Sequence, residues 1–183
     1  MKRNLTIIVL SLIVVFIMTS CKTVEDLGAN NTPQDSGEIG ERIGDFIQAF
    51  TELDQNNDTF SMDSLKGKVI LLNISAMWCS PCRSEASELM EVYNTYKERG
   101  LEIVQCIYQD EEGNSSDQSD IKRWIAEFLL TFTVLTDPDK SLTGFFNFNG
   151  IPFNVIIGRD FVIRYRHSGF DKTAVISKIE ELL

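Results

Sequence analysis

The sequence predicts an α/β domain with parallel strands at its centre, on three observations. Residues 69–74 and 101–108 are apolar runs without polar alternation, rich in β-branched side chains, so both faces of each strand must be covered. Each run is followed by a stretch with apolar residues at i, i+3 and i+4, the spacing of a helix that buries one face. Such βαβα alternation places successive strands side by side in one sheet with helices packed over it. The third observation is Trp78-Cys79-Ser80-Pro81-Cys82, which sets two cysteines where the first strand turns into the first helix.

The chain has 183 residues, 43% hydrophobic and 24% charged, which suits one globular domain with an appendage. A formal net charge of -10 argues against a nucleic-acid partner, because phosphate binding needs a basic patch and no Lys/Arg cluster supplies one. The appendage comes first. Lys2-Arg3 is a basic leader and residues 5–18 an apolar stretch too short for a comfortable membrane span, so residues 1–20 read as a signal peptide, with an uncleaved anchor as the alternative. Met18-Thr19-Ser20-Cys21 resembles a bacterial lipobox, with Met18 where Leu is usual. That resemblance implies cleavage before Cys21, a lipid on its sulfur, and a membrane-anchored lipoprotein facing the periplasm or the outside of the cell. Residues 21–41 are rich in Asn, Thr, Gly, Asp and Pro without apolar periodicity and read as a flexible tether, about 25 Å in reach as a random coil.

The domain is expected over residues 42–183. Phe46, Ala49, Phe50 and Leu53, then the turn formers at 54–58, then the alternation at 59–62 predict a short β-hairpin. Lys66-Gly67-Lys68 turns the chain into the strand at 69–74. After Cys82 a helix is expected to about Arg99, with Ala86, Leu89, Met90, Tyr93 and Tyr96 on its buried face and Gly100 at its left-handed end. The strand at 101–108 gives way to an acidic, small-residue loop at 109–117, read as solvated. A helix follows over 119–130, a short apolar stretch over 132–135, and a turn at 137–140 leading into 141–146. The strand at 153–157 and the run 161–166, joined by Gly158-Arg159-Asp160, predict an antiparallel hairpin, and 173–183 a closing amphipathic helix.

The chemistry is expected at the two cysteines. A helix start carries unpaired backbone N–H groups and the positive end of the helix dipole, both of which favour a thiolate over a thiol. Pro81 fits the opening turn, where its missing N–H costs nothing. Cys82, three residues on, is close enough to close a disulfide, so Cys79 is expected to attack and Cys82 to resolve. The alternatives are a structural disulfide or half of a zinc site. Zinc normally needs a second Cys or His pair, and only the isolated Cys106 and His167 are left over once Cys21 is set aside. Cys106, inside an apolar strand, reads as a small buried hydrophobe rather than a second redox site. His167 reads as structural or exposed.

The stretch from Val69 to Cys82, with Trp78 before the pair and Pro81 inside it, resembles the thioredoxin superfamily. Asp45-Phe46, the run Asp63 to Val69 and Gly150-Ile151-Pro152 resemble more specifically the TlpA/ResA group of membrane-tethered thiol-disulfide oxidoreductases. The resemblance implies a thioredoxin-like fold, a mixed sheet flanked by helices with an N-terminal hairpin, and a redox-active Cys79–Cys82 disulfide without further cofactor or metal. It implies that Pro152 is cis and packs against the cysteines. It matches Glu85 to the family's Glu behind the motif, a residue that either tunes the thiols by its negative charge or is an ordinary solvated carboxylate. Asn73 stands where classical thioredoxins carry a buried Asp, and since Asn takes up no proton it is expected to hydrogen-bond to backbone or assist catalysis. Ser75 replaces the usual aromatic, Ser87 a helix-kinking Pro, and Phe153 the Thr after the proline, where it is expected to alter the partner-facing surface.

The resulting expectation is a reductase of disulfides in exported proteins, with cytochrome c maturation as one setting, recharged by a membrane thiol donor. Two other readings stand beside it. A peroxiredoxin-like thiol peroxidase shares the scaffold, but its motif has Thr three residues before the reactive Cys, where this chain has Ala76. A non-catalytic lipoprotein binding module would not need Cys79, Pro81, Cys82 and Pro152 intact.

Overall fold

The computed structural model describes residues 37–183. The signal peptide, Cys21 and most of the tether lie outside the described residues. Glu38, assigned to the tether, accepts through its carbonyl from the Phe46 N–H at 2.8 Å, and the Glu41 carboxylate pairs with Arg166 at 3.3 Å. The chain is therefore already tied to the domain before residue 42.

The expected hairpin is present as β1 (Thr51–Leu53) and β2 (Thr59–Ser61), antiparallel with Glu52 opposite Phe60. Its turn is closed by Asp54, whose Oδ1 accepts from the N–H groups of Asn56 and Asp58 at 2.8 and 3.0 Å, the local bonding that makes Asp a turn former. The main sheet begins with β3 (Val69–Ser75), buried at every position. Helix α1 (Ser80–Tyr96) follows, then a 3-10 turn, and Gly100 at φ 104 ends the segment in the left-handed conformation expected of it.

Next come β4 (Leu101–Ile107), α2 (Gln118–Phe128), β5 (Thr133–Leu135) and the short α3 (Ser141–Phe145). The hairpin β6 (Phe153–Ile157) and β7 (Ile163–Ser168) and the helix α4 (Lys172–Leu182) close the chain. The sheet order is β5-β4-β3-β6-β7, with β3, β4 and β5 parallel and β6 and β7 antiparallel to their neighbours. The parallel pairs are the βαβ units read from the sequence; the antiparallel edge comes from the tight Gly158 to Val162 turn, too short for a crossover.

Alternating side chains of the central strands feed two cores. Val69, Leu71, Leu101, Ile103 and Ile156 meet α1, α2 and α4 on one face; Ile70, Leu72, Ile74, Val104, Val155 and Ile157 meet Ile47, Met62, Leu142 and Phe161 on the other. Full burial of each such Leu or Ile is worth roughly 1.5–3 kcal/mol. The loop at 109–117, expected to be only solvated, is structured by its own acids. Asp110 accepts from the N–H groups of Glu112 and Asn114, and Asp117 forms a capping box with Asp120 at the start of α2.

Candidate active site

The end of β3 delivers the two cysteines. The Tyr108 N–H donates to the Ser75 carbonyl at 3.0 Å and the Met77 N–H to that of Gln109, also at 3.0 Å, so the tips of β3 and β4 are held together as the chain leaves the sheet. Cys79 is the N-cap of α1, Pro81 sits in the first turn, and the first turn contains no acid. The helix end therefore presents its positive pole to the sulfurs without a local counter-charge. Cys79 and Cys82 form a disulfide, with Cα atoms 5.3 Å apart. The Cys79 sulfur accepts from the Cys82 N–H at 3.2 Å.

Trp78 is 49% exposed, and its indole N–H donates to Gln109 Oε1 at 3.0 Å. Cys79, Ser80 and Pro81 line a groove of about 470 Å³ with Trp78, Tyr108, Phe148, Asn149, Gly150 and Ile151. The Ile151-Pro152 bond is cis, as the resemblance implies. The sheet therefore brings the cysteines and the segment leading into Pro152 to one groove from stretches some seventy residues apart. Phe153 does not face a partner. It is 2% exposed and packs into the second core, stacked at 5.3 Å on Phe148, and Phe148 is the ring that reaches the groove. Alternation explains this, because the residue after the proline begins β6 pointing to the face opposite α1.

Glu85 is not a solvated helix carboxylate. It is 2% exposed, on the helix face packed against the sheet. Burial pushes its pKa up from the usual range to about 8; the amide of Asn154 opposes the rise and Glu88 adds to it. At neutral pH Glu85 is thus mainly protonated, not the fixed negative charge expected from the sequence. Its Oε1 accepts from Asn73 Nδ2 at 3.0 Å, whereas Oε2 is buried without a hydrogen-bond partner among the described residues. Asn73 bonds to side chains, not to backbone: Nδ2 also donates to Asn154 Oδ1, and Oδ1 accepts from Ser75 and Gln105. Ser75 fills the place of the usual aromatic by donating to Asn73 at 2.6 Å while itself fully buried. Helix α1 continues unbroken through Ser87.

Cys106 is buried, as expected, and forms no disulfide among the described residues. Its thiol is pushed well above the ordinary range, first by burial and then by the carboxylates of Asp137 and Glu52. His167 lies on β7 opposite Asn154, its Nδ1 3.4 Å from the Gly169 carbonyl. One carboxylate group is not visible in the sequence pattern. Glu52, Asp137 and Asp139 bring ligand oxygens within 4.8 Å of one another, close enough to hold a cation. Burial first, then those two acids, push Glu52 up to about 7, while the Ser141 hydroxyl donates to it and pulls the other way. The Asp137 oxygens accept from the Leu142 and Thr143 N–H groups, so the cluster also secures the start of α3. Sequence reasoning also misses Gln105, Tyr108, Gln109, Phe148, Asn154 and Trp124. The one signal for Gln105 and Asn154 is an amide inside an apolar strand, which needs a buried partner.

The chain matches the AhpC/TSA family over residues 43–166. It is 29% identical over 121 residues to the thiol-disulfide oxidoreductase ResA of Bacillus thuringiensis, a match covering 65% of this chain and 65% of that protein. The chain thus spans slightly less than two thirds of that relative's length. It is 31% identical over 165 residues to the thiol:disulfide interchange protein DsbE of Yersinia pestis, covering 89% of this chain and 80% of the relative. Its fold resembles a crystal structure of a thioredoxin family thiol:disulfide interchange protein from Chlorobium tepidum, with a TM-score of 0.63 and 21% identity over 79% of this chain and 99% of that one. A solution structure of a thiol:disulfide interchange protein from a Bacteroides species gives 0.64 at 22% identity, covering 76% and 91% of the two chains. These likenesses establish the thioredoxin-like fold, a mixed five-stranded sheet flanked by helices with a small N-terminal hairpin.

Proposed function

This chain belongs to the AhpC/TSA family, and from that premise we propose that it is a thiol-disulfide oxidoreductase with Cys79 and Cys82 as its reacting pair. The observation that carries the reading is the Cys79–Cys82 disulfide at the start of α1, opening on the groove beside Ile151. In the reduced protein the Cys79 thiolate attacks one sulfur of a substrate disulfide and expels the other as a thiolate, leaving a mixed disulfide. Cys82 then attacks the Cys79 sulfur, expels the second substrate thiolate and restores the internal disulfide. Two electrons pass from the dithiol to the substrate. Trp78 and Pro81 shape the rim and the helix start, and the segment ending in Pro152 supplies the opposite wall of the groove.

The substrate is a disulfide in an exported protein, and the working direction is reduction, with cytochrome c maturation as one setting that fits. A membrane thiol donor returns the electrons, and a lipid on Cys21 keeps the enzyme beside it. A signal peptide over 1–20 and a tether from residue 21 leave a domain, joined by the chain from about Glu38, outside the cytoplasm. The relatives named thiol-disulfide oxidoreductase ResA and thiol:disulfide interchange protein DsbE support the thiol-disulfide chemistry of this reading. Peroxidase chemistry lacks its Thr, since Ala76 is in that position. Protein beginning after Cys21 should reduce insulin disulfides and leave hydrogen peroxide unconsumed, with a potential nearer the about −270 mV of thioredoxin than the about −120 mV of DsbA. Peroxide turnover without insulin reduction would overturn the reading.

A further inference from the structure

Behind the disulfide a polar row crosses the apolar sheet. Asn73 on β3 stands in register with Gln105 on β4 and with Asn154 on β6, and all three are fully buried. Trp124 Nε1 donates to Gln105 Oε1 at 2.9 Å, and Gln105 Nε2 to Asn73 Oδ1 at 2.9 Å. Asn73 Nδ2 donates to Glu85 Oε1 and Asn154 Oδ1, each at 3.0 Å, and Asn154 Nδ2 to the Gly169 carbonyl at 3.1 Å. With Ser75 on its oxygen as well, the Asn73 amide uses both hydrogens and both lone pairs.

An amide can be reversed, oxygen for nitrogen, without changing its shape, so Asn73 alone could show either end to Glu85. The two ends of the row cannot be reversed. An indole N–H only donates and a backbone carbonyl only accepts. Followed inward from Trp124 or from Gly169, the directions agree, and both turn the Asn73 nitrogen toward Glu85. We propose that Gln105 with Trp124 from one side, and Asn154 on the Gly169 carbonyl from the other, are positioning residues of the redox centre: by fixing the direction of the Asn73 amide they hold a donor on Glu85 Oε1 and leave Oε2 to carry the carboxyl proton.

A donor there stabilises the ionised carboxylate, and a reversed amide would set its oxygen against it. Among the described residues, the other charged or titratable groups near Glu85 and its row are Glu88 on α1, bridged at 3.4 Å by Lys172 of α4, and on β7 the Tyr165 phenol, itself held up by burial and by Asp171 and Glu85, and His167, which stands opposite Asn154 with Nδ1 3.4 Å from the Gly169 carbonyl. None of these carries the direction of the row. The proposal rests on the thiol-disulfide reading for its chemical meaning, but the orientation is testable without turnover.

The measurement is the carboxyl carbon resonance of Glu85 followed against pH in the oxidised protein. Gln105→Leu and Asn154→Leu each leave one end of the row in place and should shift the Glu85 midpoint little, whereas the double variant frees Asn73 and should raise it by about one pH unit, or tenfold in proton affinity. Trp124→Phe combined with Asn154→Leu should raise it less, because Gln105 can still donate to Asn73. Simple loosening of the core would admit water and lower the midpoint, so an unchanged or lowered value in the folded double variant overturns the proposal. Should that variant not fold, the wild-type protein decides. The Trp124 indole proton should shift with the Glu85 midpoint and lose that dependence in Glu85→Gln; an indole resonance blind to Glu85 overturns the proposal as well. A raised midpoint in a protein that reduces no disulfide would sink the oxidoreductase reading and leave the orientation standing.

Discussion

Cys82 and Cys106 are equally buried, both fully, and lie on opposite sides of one sheet. Cys82 belongs to the core under α1 and α4, whereas Cys106 points into the core covered by the hairpin and α3. Burial therefore does not separate the disulfide-bonded sulfur, the proposed reacting partner, from the free one. Cys82 has a second sulfur within bonding reach and a helix N-terminus at its back. Cys106 has the middle of a strand, with Ile74 beside it in register and the acids Glu52 and Asp137 nearby, all of which disfavour a thiolate.

The largest expected effect breaks this comparison outright if it fails. Cys79→Ser should abolish disulfide turnover, and Cys82→Ser should stop it at a mixed disulfide visible on a non-reducing gel. Cys106→Ala should leave kcat/KM within roughly twofold, since the residue acts as a small hydrophobe. Loss of turnover in Cys106→Ala with the fold intact would make the two faces one redox system.

A milder probe sharpens the contrast within a single protein. After reduction and a short iodoacetamide pulse, mass spectrometry should find Cys79 alkylated and Cys106 unmodified until the chain is unfolded. Rapid modification of folded Cys106 would mean that the hairpin face opens readily to solvent.

The smallest effect concerns the carboxyls that accompany each sulfur. The folded-state pKa of Glu85 is raised from 4.5 to about 8, so its protonated form stabilises the fold fully below pH 4.5, and that contribution is lost as pH rises toward 8. Chemical denaturation of wild type and Glu85→Gln should therefore diverge across this window, the wild type losing up to about 1.4 kcal/mol per pH unit relative to the variant. The substituted amide adds a constant offset, so the slope is the quantity to read. Glu52 rises in the same direction in both proteins and cancels. Parallel curves would place Glu85 in contact with water.

Much of this architecture is legible in the amino-acid sequence. Period and punctuation place the helices and strands, because Leu89, Ile121 and Gly100 report local geometry that the fold then uses. The cysteine pair is legible because both partners and the helix start lie within four residues. What escapes depends on register. Asn73, Gln105 and Asn154 are each an amide in an apolar strand, but their meeting is a fact of pairing between strands 32 and 81 residues apart, which periodicity does not encode. The helix position of Glu85 admits both a solvated and a tuning carboxylate, and only the packing of α1 against the sheet chooses the buried side. For Phe153, resemblance points to the partner-facing surface, and strand alternation turns the ring inward.

The Cys79 sulfur also caps the helix that it opens, by accepting the Cys82 amide proton. The group proposed to exchange electrons is thus the group that secures the start of α1, and each step of the proposed redox cycle would change the quality of the cap. A thiolate is a stronger acceptor than a disulfide sulfur, and a sulfur drawn into a bond with substrate is shared with another molecule. The first turn of α1 should accordingly open at different rates in the three states, and amide hydrogen exchange at Cys82 should be slowest when Cys79 is ionised. Helix fraying here becomes a clock that keeps time with the chemistry.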